Sequence, residues 1–160
     1  MIRVAVLTVS DGVAAGKRED VSGQVAVERI TRLGWSLVEH AVTPDEADAI
    51  SSTLARWADS GEVDMVLTLG GTGFGPRDVT PEATSTVLRR PAPGIAERLR
   101  TDGLRDTPFA VLSRGVAGIC GRTLIVNLAG SEKAVRSGLD VLGEVVPHAV
   151  ELLCGRTEHA

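Results

Sequence analysis

Residues 66–82 of the chain read VLTLGGTGFGPRDVTPE. The apolar start predicts a buried strand, and the glycines that follow can take positive φ and let the backbone approach a ligand closely. Successive N–H groups in such a turn form a hollow that binds anions. Arg77 is a suitable partner for a phosphate and Asp78 for a divalent cation, so the loop suits a phosphorylated ligand. The other interpretation is a tight turn whose glycines serve only the backbone.

The spacing of these glycines excludes two familiar nucleotide-binding loops. A P-loop ends in Gly-Lys-Ser or Gly-Lys-Thr, and neither triplet occurs anywhere in the chain. A dinucleotide fingerprint has the form G-x-G-x-x-G, so its last glycine has a fixed position. Counted from Gly71 that position is Pro76, and counted from Gly73 it is Asp78. The loop therefore matches neither motif.

Strand-like and helix-like patterns alternate along the chain. Helical stripes end near Gly34 and Gly61, and Pro147 should kink or break the last and longest helix. This alternation predicts an α/β fold, a three-layer α/β/α sandwich with a mostly parallel sheet. The chain of 160 residues is expected to form a single domain over 1–160. Apolar runs that suit buried strands lie at 2–9, 35–42, 63–69, 109–113 and 122–128.

Polar residues and glycines follow the end of each predicted strand. Ligands of open α/β sheets bind outside the carboxyl ends of the strands. We therefore expect these segments to meet at one edge, where each contributes a hydroxyl, a charge or glycines. They are residues 10–12, 43–46, 70–78, 113–115 and 127–131.

Asp45 and Asp78 are the two carboxylates of interest, and each has a structural alternative. The segment Thr43–Glu46 fits a capping box, which favours Asp45 as an acid in the first turn of a helix. Asp78 lies outside the helix predicted to start at Thr80-Pro81, and its alternative is a salt bridge with Arg77.

The three histidines do not form a cluster, and a solvated or core-edge position is expected for each. They are His40, His148 and His159. No Ser-His-Asp or Cys-His arrangement is indicated. A histidine base is not needed when the nucleophile is an anionic phosphate oxygen, because positioning and charge neutralisation then carry the reaction.

The composition excludes several classes of protein. A formal net charge of −4 and an aromatic content of 2% argue against a nucleic-acid binder. Cys120 and Cys154 form no metal-binding pattern, and two reduced thiols fit a cytosolic protein. The sequence shows no convincing signal peptide and no apolar segment long enough to span a membrane. A cytoplasmic location without membrane attachment is expected.

A series of short motifs runs through nearly the whole chain: Ser10-Asp11, Asp20-x-Ser22-Gly23, Pro44-Asp45, Gly70-Gly-Thr-Gly73, Asp78-x-Thr80-Pro81-Glu82, Pro93-Gly94, Ser113-Arg114 and Asn127-Leu-x-Gly-Ser131. In this order they resemble the molybdopterin-binding proteins of molybdenum-cofactor biosynthesis, in the Mog/MoaB branch. The resemblance implies Mg²⁺-dependent transfer of AMP from ATP to the terminal phosphate of molybdopterin. It also implies a homotrimer, sometimes a hexamer, and a product used for molybdate insertion, with a molybdenum-insertion protein as an expected partner.

The resemblance implies that Asp45 and Asp78 are the catalytic and metal-binding residues. Together with the loop chemistry it gives the substrate-binding residues Asp11, Gly70, Gly71, Thr72, Gly73, Arg77, Ser113, Arg114, Gly130 and Ser131. Three residues depart from the family pattern, because Leu69 replaces a common hydroxyl residue and Ala129 and Glu132 replace prolines. These departures leave open a paralogue that binds molybdopterin without efficient adenylyl transfer. The resemblance leaves open a second alternative, a trimerising interaction module, because the same fold serves as a scaffold in larger proteins.

Overall fold

The computed structural model describes residues 1–156, in which one six-stranded sheet lies between two layers of helices. The sheet order is β2-β1-β3-β6-β5-β4. β1, β2, β3 and β6 run parallel, and β5 and β4 pair antiparallel at one side. The predicted α/β/α sandwich with a mostly parallel sheet is thus confirmed. Strands β1 to β6 are Arg3–Val9, Ser36–Thr43, Met65–Leu69, Arg90–Pro91, Ala117–Cys120 and Thr123–Leu128.

The helices cover the two faces of the sheet and bury a separate apolar cluster on each. Helices α1 to α6 are Asp11–Ala14, Val21–Arg32, Ala47–Asp59, Thr80–Val87, Pro93–Gly103 and Glu132–Leu153. α2, α5 and α6 pack on one face, and α3 and α4 pack on the other. None of the helices within residues 1–156 combines the length and apolar character needed to cross a lipid bilayer.

The strand predicted at 109–113 is wrong. The segment Pro108–Leu112 is a 3₁₀ helix, and the side chain of Thr107 accepts a hydrogen bond from the Phe109 N–H at its start. Apolar composition misled the prediction, because Phe109 and Val111 are exposed rather than buried. The runs at 2–9, 35–42, 63–69 and 122–128 correspond to β1, β2, β3 and β6, with small shifts at their ends.

The expected break at Pro147 is also wrong, since α6 continues through this residue to Leu153. Buried Leu142 and Val146 before the proline, and partly buried Val150 and Leu153 after it, hold the helix against the sheet. Packing of this kind outweighs the lost backbone hydrogen bond. His148 lies in α6, and His159 lies outside the described residues.

Candidate active site

The glycine loop, residues 70–78, lies where parallel strands β1, β3 and β6 end. Gly70 and Gly71 have positive φ, 98° and 67°, which L side chains rarely adopt. Space is also short, since a Cβ on Gly70 would stand 2.6 Å from the Val9 carbonyl oxygen. The Gly70 N–H donates to the Leu128 carbonyl at 3.0 Å. The ends of the strands thus hold the loop close to the sheet.

Asp45 does not belong to a helix. Thr43 ends β2, where it pairs with Val9 of β1. α3 begins only at Ala47, and Glu46 precedes it without a capping hydrogen bond from its side chain. The predicted capping box at Thr43–Glu46 is therefore wrong, because strand pairing takes the residue that would have been the cap. Asp45 is left on the loop between β2 and α3, beside the glycine loop.

Two reciprocal hydrogen bonds join Asp11 and Asp45, each from the backbone N–H of one residue to the side-chain carboxylate of the other. The Asp11 N–H donates to Asp45 Oδ2 at 2.8 Å, and the Asp45 N–H donates to Asp11 Oδ1 at 3.0 Å. Burial raises the pKa of Asp45, and the charges of Asp11 and Asp78 act in the same direction, against the Asp11 hydrogen bond. A cation beside Asp45 would offset this unfavourable environment of its carboxylate.

Arg77 reaches from the glycine loop to the two neighbouring loops. Its Nε and Nη2 donate to the Asp11 carboxylate at 3.1 and 3.0 Å, and Nη2 also donates to Glu46 Oε1 at 2.9 Å. The Arg77 hydrogen bond lowers the pKa of Asp11. An ion pair of Arg77 with Asp78, the alternative from the sequence, is absent from residues 1–156. Arg77 thus ties the loops together, and its contact with substrate stays a prediction.

Asp78 folds back over its own loop. The Gly75 N–H donates to Asp78 Oδ2 at 2.8 Å. A Cβ on either Gly73 or Gly75 would stand 2.9 Å from the same oxygen. These two glycines therefore make room for the carboxylate itself. Asp78 Oδ1 receives no hydrogen bond within the described part of the chain, so this oxygen is open to a ligand.

Arg114 holds the glycine loop in place through hydrogen bonds to its carbonyl groups. The backbone N–H of Arg114 donates to the Thr72 carbonyl at 2.8 Å. Its guanidinium donates to the carbonyls of Gly73 and Asp78, each at 2.8 Å, and pairs with Glu82. Because these bonds occupy much of the guanidinium fork, its main visible role is to hold the loop. The predicted contact of Arg114 with substrate stays a prediction.

The loops surround an open cleft of about 1400 Å³. Sites for one small ligand measure roughly 300–1,000 Å³, so the cleft has room for more than one molecule. Asp11, Arg77 and Arg114 lie outside its wall and support it. The predicted residues that do line it are Asp45, Gly70, Gly71, Thr72, Gly73, Asp78, Ser113, Gly130 and Ser131.

Two residues that fix the cleft loops, Arg100 and Ser22, are not among the site residues predicted from the sequence, although Ser22 lies in the Asp20-x-Ser22-Gly23 motif. Arg100, from α5, donates to the carbonyls of Ser113 and Gly115 at 3.2 and 2.9 Å and so fixes that loop. Ser22 donates to the Gly130 carbonyl, which ties the start of α2 to the loop after β6. Nothing in the sequence pattern pairs these residues, because the partners are backbone carbonyls distant along the chain.

His40 lies at the edge of the core beside the cleft, as the sequence predicts for this residue. Its Nε2 is 3.0 Å from Asp20 Oδ2, and the Thr8 hydroxyl donates to the same oxygen at 2.7 Å. Asp20 Oδ1 accepts the Gly23 N–H at 2.9 Å and caps α2. These bonds fix the first turn of α2 at the cleft, and His40 itself is not among the residues that line it.

The carboxylates of the cleft suit a cation that is bound jointly with a substrate. Within residues 1–156 no group of three or more His, Cys, Asp or Glu side chains is arranged to hold a metal ion. Mg²⁺ is commonly bound through one or two carboxylates, with water and substrate phosphates as its other ligands. Asp45 and Asp78 both line the cleft, and each has an oxygen that no described residue uses. This donor set fits Mg²⁺.

Residues 5–148 match a protein family described as a probable molybdopterin binding domain. A molybdopterin adenylyltransferase from Helicobacter pylori is 37% identical over 156 residues, which cover 96% of this chain and 89% of the relative. The molybdenum cofactor synthesis protein cinnamon from Drosophila melanogaster is 41% identical over 153 residues. That match covers 95% of this chain but only 26% of the fly protein.

The fold has close relatives among solved structures. The molybdopterin biosynthesis enzyme MoaB from Thermus thermophilus superposes with a TM-score of 0.91 at 47% identity. The superposition covers 97% of this chain and 98% of MoaB. Sequence and structure therefore agree over nearly the whole chain, including the glycine loop and the loops around it. The chain belongs to the family of probable molybdopterin-binding domains of molybdenum-cofactor biosynthesis.

Proposed function

We propose that this chain transfers AMP from ATP to the terminal phosphate of molybdopterin, and that the transfer requires Mg²⁺. One observation carries the proposal: two carboxylates with open oxygens, Asp45 and Asp78, flank a glycine loop in a cleft large enough for two substrates. Relatives of similar length named molybdopterin adenylyltransferase support the same reaction.

The reaction exchanges one phosphoanhydride bond for another. An oxygen of the terminal phosphate of molybdopterin attacks the α-phosphorus of ATP. The bond between the α-phosphorus and the oxygen that bridges it to the β-phosphorus breaks, and pyrophosphate leaves with the electron pair. The products are adenylyl-molybdopterin and pyrophosphate. The attacking oxygen is already anionic, so no side chain has to remove a proton.

Asp45 and Asp78 are the residues that would hold Mg²⁺. The ion would neutralise negative charge on the phosphates as the bond breaks. Asp45 is suited to this role because burial and the neighbouring charges of Asp11 and Asp78 already disfavour its bare charge. Asp11 and Arg77 keep the Asp45 loop in register with the glycine loop.

The remaining loops supply donors for the phosphates. Gly71 and Gly73 offer backbone N–H groups without a side chain in the way, whereas the Gly70 N–H is already bonded to the Leu128 carbonyl. Ser113 adds a hydroxyl, and Ser131 adds one at the start of α6, where its oxygen also accepts the Ala134 N–H at 3.2 Å. Lys133 and Glu132 lie beside it on the cleft wall. The charge of Lys133 offsets that of Glu132, so the departure from proline at 132 does not by itself exclude a phosphate there.

The departure at Leu69 changes one residue in the wall of the cleft. Leu69 is 1% exposed and packs in the apolar cluster on the face covered by α2, α5 and α6, and it also lines the cleft. Without a hydroxyl at this position, the phosphate contacts we propose rest on the backbone N–H groups of the glycine loop and on Ser113 and Ser131.

The proposal is tested by incubating the purified chain with molybdopterin, ATP and Mg²⁺ and measuring pyrophosphate. We expect release that requires all three components, together with a product whose mass is molybdopterin plus AMP. Molybdopterin binding without pyrophosphate release would instead identify the chain as a binding paralogue. Absence of both would contradict the proposal and favour the trimerising interaction module.

We further propose that the chain assembles as a trimer or hexamer. Exposed apolar side chains support association, since Leu104, Phe109, Val111 and Leu112 follow one another near the rim of the cleft. Light scattering should give a mass three or six times the 16.7 kDa of the chain. A strict monomer at micromolar concentration would contradict this proposal.

A further inference from the structure

Thr80 carries a hydroxyl whose position is unexplained by the fold. The residue is 0% exposed, and its Oγ1 has no hydrogen-bond partner within residues 1–156. Other buried threonines differ: the hydroxyls of Thr68 and Thr84 both accept from Asn127 Nδ2, at 2.9 and 3.0 Å. A buried hydroxyl without a partner is destabilising and rare, so Thr80 calls for a partner in the working protein.

The surroundings of Gly71 show what this hydroxyl faces. A Cβ built on Gly71 would stand 2.2 Å from Thr80 Oγ1 and 3.2 Å from Asp45 Oδ1. Both oxygens therefore lie beside the same small space, which exists because residue 71 has no side chain. The Thr80 N–H donates to the Gly71 carbonyl at 3.0 Å and keeps the threonine in this place.

The two oxygens have complementary roles. Asp45 Oδ2 already accepts the Asp11 N–H, whereas Oδ1 accepts no hydrogen bond from residues 1–156. An ionised carboxylate only accepts, and a threonine hydroxyl can donate. The unused donor and the unused acceptor lie 2.2 and 3.2 Å from the same point, the position of a Cβ on residue 71, which makes them close neighbours.

We propose that Thr80 is a positioning residue for the proposed reaction, and that its hydroxyl donates to Asp45 Oδ1. With Oδ2 fixed by the Asp11 N–H and Oδ1 by Thr80, the carboxylate has one orientation. Its remaining lone pairs then face the cleft, where a cation bound to phosphate would lie. This role deepens the proposed function, on which its catalytic part rests.

The hydrogen bond is tested without any substrate by thermal unfolding of Thr80→Val. The variant keeps the shape of threonine and removes the hydroxyl, so it should lower Tm by about 2–4 °C, the scale for one lost hydrogen bond in a domain of this size. In an Asp45→Ala background the same change should not lower Tm. An equal or higher Tm for Thr80→Val in the wild-type background would overturn the proposal, since an unpartnered hydroxyl is replaced by methyl without loss.

Kinetics test the positioning role. Thr80→Val should lower kcat at least about tenfold, the scale of a hydrogen bond to a charged group, while KM for molybdopterin stays within about twofold. Thr80→Ser should restore most of the rate. The control is Thr86→Val on the same helix, whose exposed hydroxyl donates only to the Ala83 carbonyl and whose loss should leave kcat unchanged.

The two arms separate the two proposals. If the wild-type chain releases no pyrophosphate, the proposed function fails, and the thermal comparison still decides whether Thr80 binds Asp45. A wild-type kcat in Thr80→Val, or a loss that Thr80→Ser does not restore, would overturn the positioning role even where the enzyme is active.

Discussion

The carboxylates at the two ends of the parallel strands differ in how many of their oxygens accept hydrogen bonds. At the amino ends, Arg3 fills both oxygens of Asp64: its N–H and Nε donate to Oδ2 at 2.8 and 3.2 Å, and Nη2 donates to Oδ1 at 2.8 Å. At the carboxyl ends, Asp45 and Asp78 each accept one backbone N–H and keep an open oxygen. A filled carboxylate stabilises the fold, whereas an open one is available to a ligand.

The pKa values of Asp64 and Asp45 move in opposite directions because the two partly buried carboxyl groups have different neighbours. Burial would raise the pKa of both carboxyl groups. At Asp64 the hydrogen bonds and charge of Arg3 outweigh burial, so the net shift is downward. At Asp45 the Asp11 hydrogen bond does not outweigh burial and the nearby negative charges, so the net shift is upward. Electrostatics thus separates the structural end of the sheet from the end with the candidate site.

The largest expected effect is at Asp78. Asp78→Asn should lower the turnover of adenylyl transfer by at least about 10²-fold, the scale of one lost electrostatic stabiliser, and leave molybdopterin binding and Tm nearly unchanged. Initial rates of pyrophosphate release and calorimetry measure these quantities. Parallel losses of binding and stability would show instead that Asp78 serves the fold, as Asp64 does.

Gly71→Ala tests whether the site at the carboxyl ends of the strands needs the space beside Gly71. Its matched control is Gly34→Ala at the amino end, because Gly34 has a similar φ of 74° but no atom within 4 Å of an added Cβ. Gly34→Ala should lose about 1–2 kcal/mol of unfolding free energy from the left-handed backbone, and Gly71→Ala should lose more, because its Cβ would also stand 2.2 Å from the buried Thr80 Oγ1. Only Gly71→Ala should also lower turnover, by about tenfold on the scale of a lost hydrogen bond to a charged group, because its Cβ meets Thr80 Oγ1. Equal turnover in the two variants would contradict the close packing beside Asp45.

Asp64→Asn should show the reverse pattern. Loss of the ion pair with Arg3, whose side chain is partly exposed, should cost about 1 kcal/mol, which corresponds to about 2–4 °C in Tm. Turnover should stay within about twofold of the wild type, since Asp64 is at the opposite edge from the cleft. A large loss of turnover with unchanged Tm would remove the distinction between the two ends.

The smallest expected effect is a difference in pH dependence. The pKa of Asp64 is lowered on folding, so its stabilisation is present above the unfolded pKa and lost as pH falls through the folded pKa. The pKa of Asp45 is raised, so its ionisation costs stability at neutral pH and this cost disappears below the unfolded pKa. Urea unfolding at neutral pH should therefore find Asp45→Asn at least as stable as the wild type and Asp64→Asn less stable. Both differences should shrink in acid.

The sequence predicts the central strands and the glycine loop well because local patterns determine them. Buried parallel strands need continuous apolar runs, and the sharp turn at Gly70 needs positive φ. The same criteria failed at Pro108–Leu112, where apolar residues stay exposed, and missed Arg90–Pro91 and Ala117–Cys120, which are too short to show a pattern.

The candidate site was predictable only in part for a related reason. The loops that meet at the sheet edge follow from the order of the strands. The pairing of Arg77 with Asp11 and Glu46, and the position of Thr80 beside Asp45, depend on contacts between distant segments. Thr43 shows the limit most clearly, since a strand end and a helix cap use the same residue types at this position.

One assay compares the two ends of the sheet directly. It follows transfer of labelled AMP from ATP to molybdopterin by the wild type, Asp45→Asn and Asp64→Asn, at equal Mg²⁺ and with Tm measured on the same samples. We predict transfer by the wild type and by Asp64→Asn within about twofold of each other, and at least about 10²-fold less by Asp45→Asn despite an unchanged or higher Tm. No labelled product from the wild type, or wild-type transfer by Asp45→Asn, would contradict the role assigned to the open carboxylates.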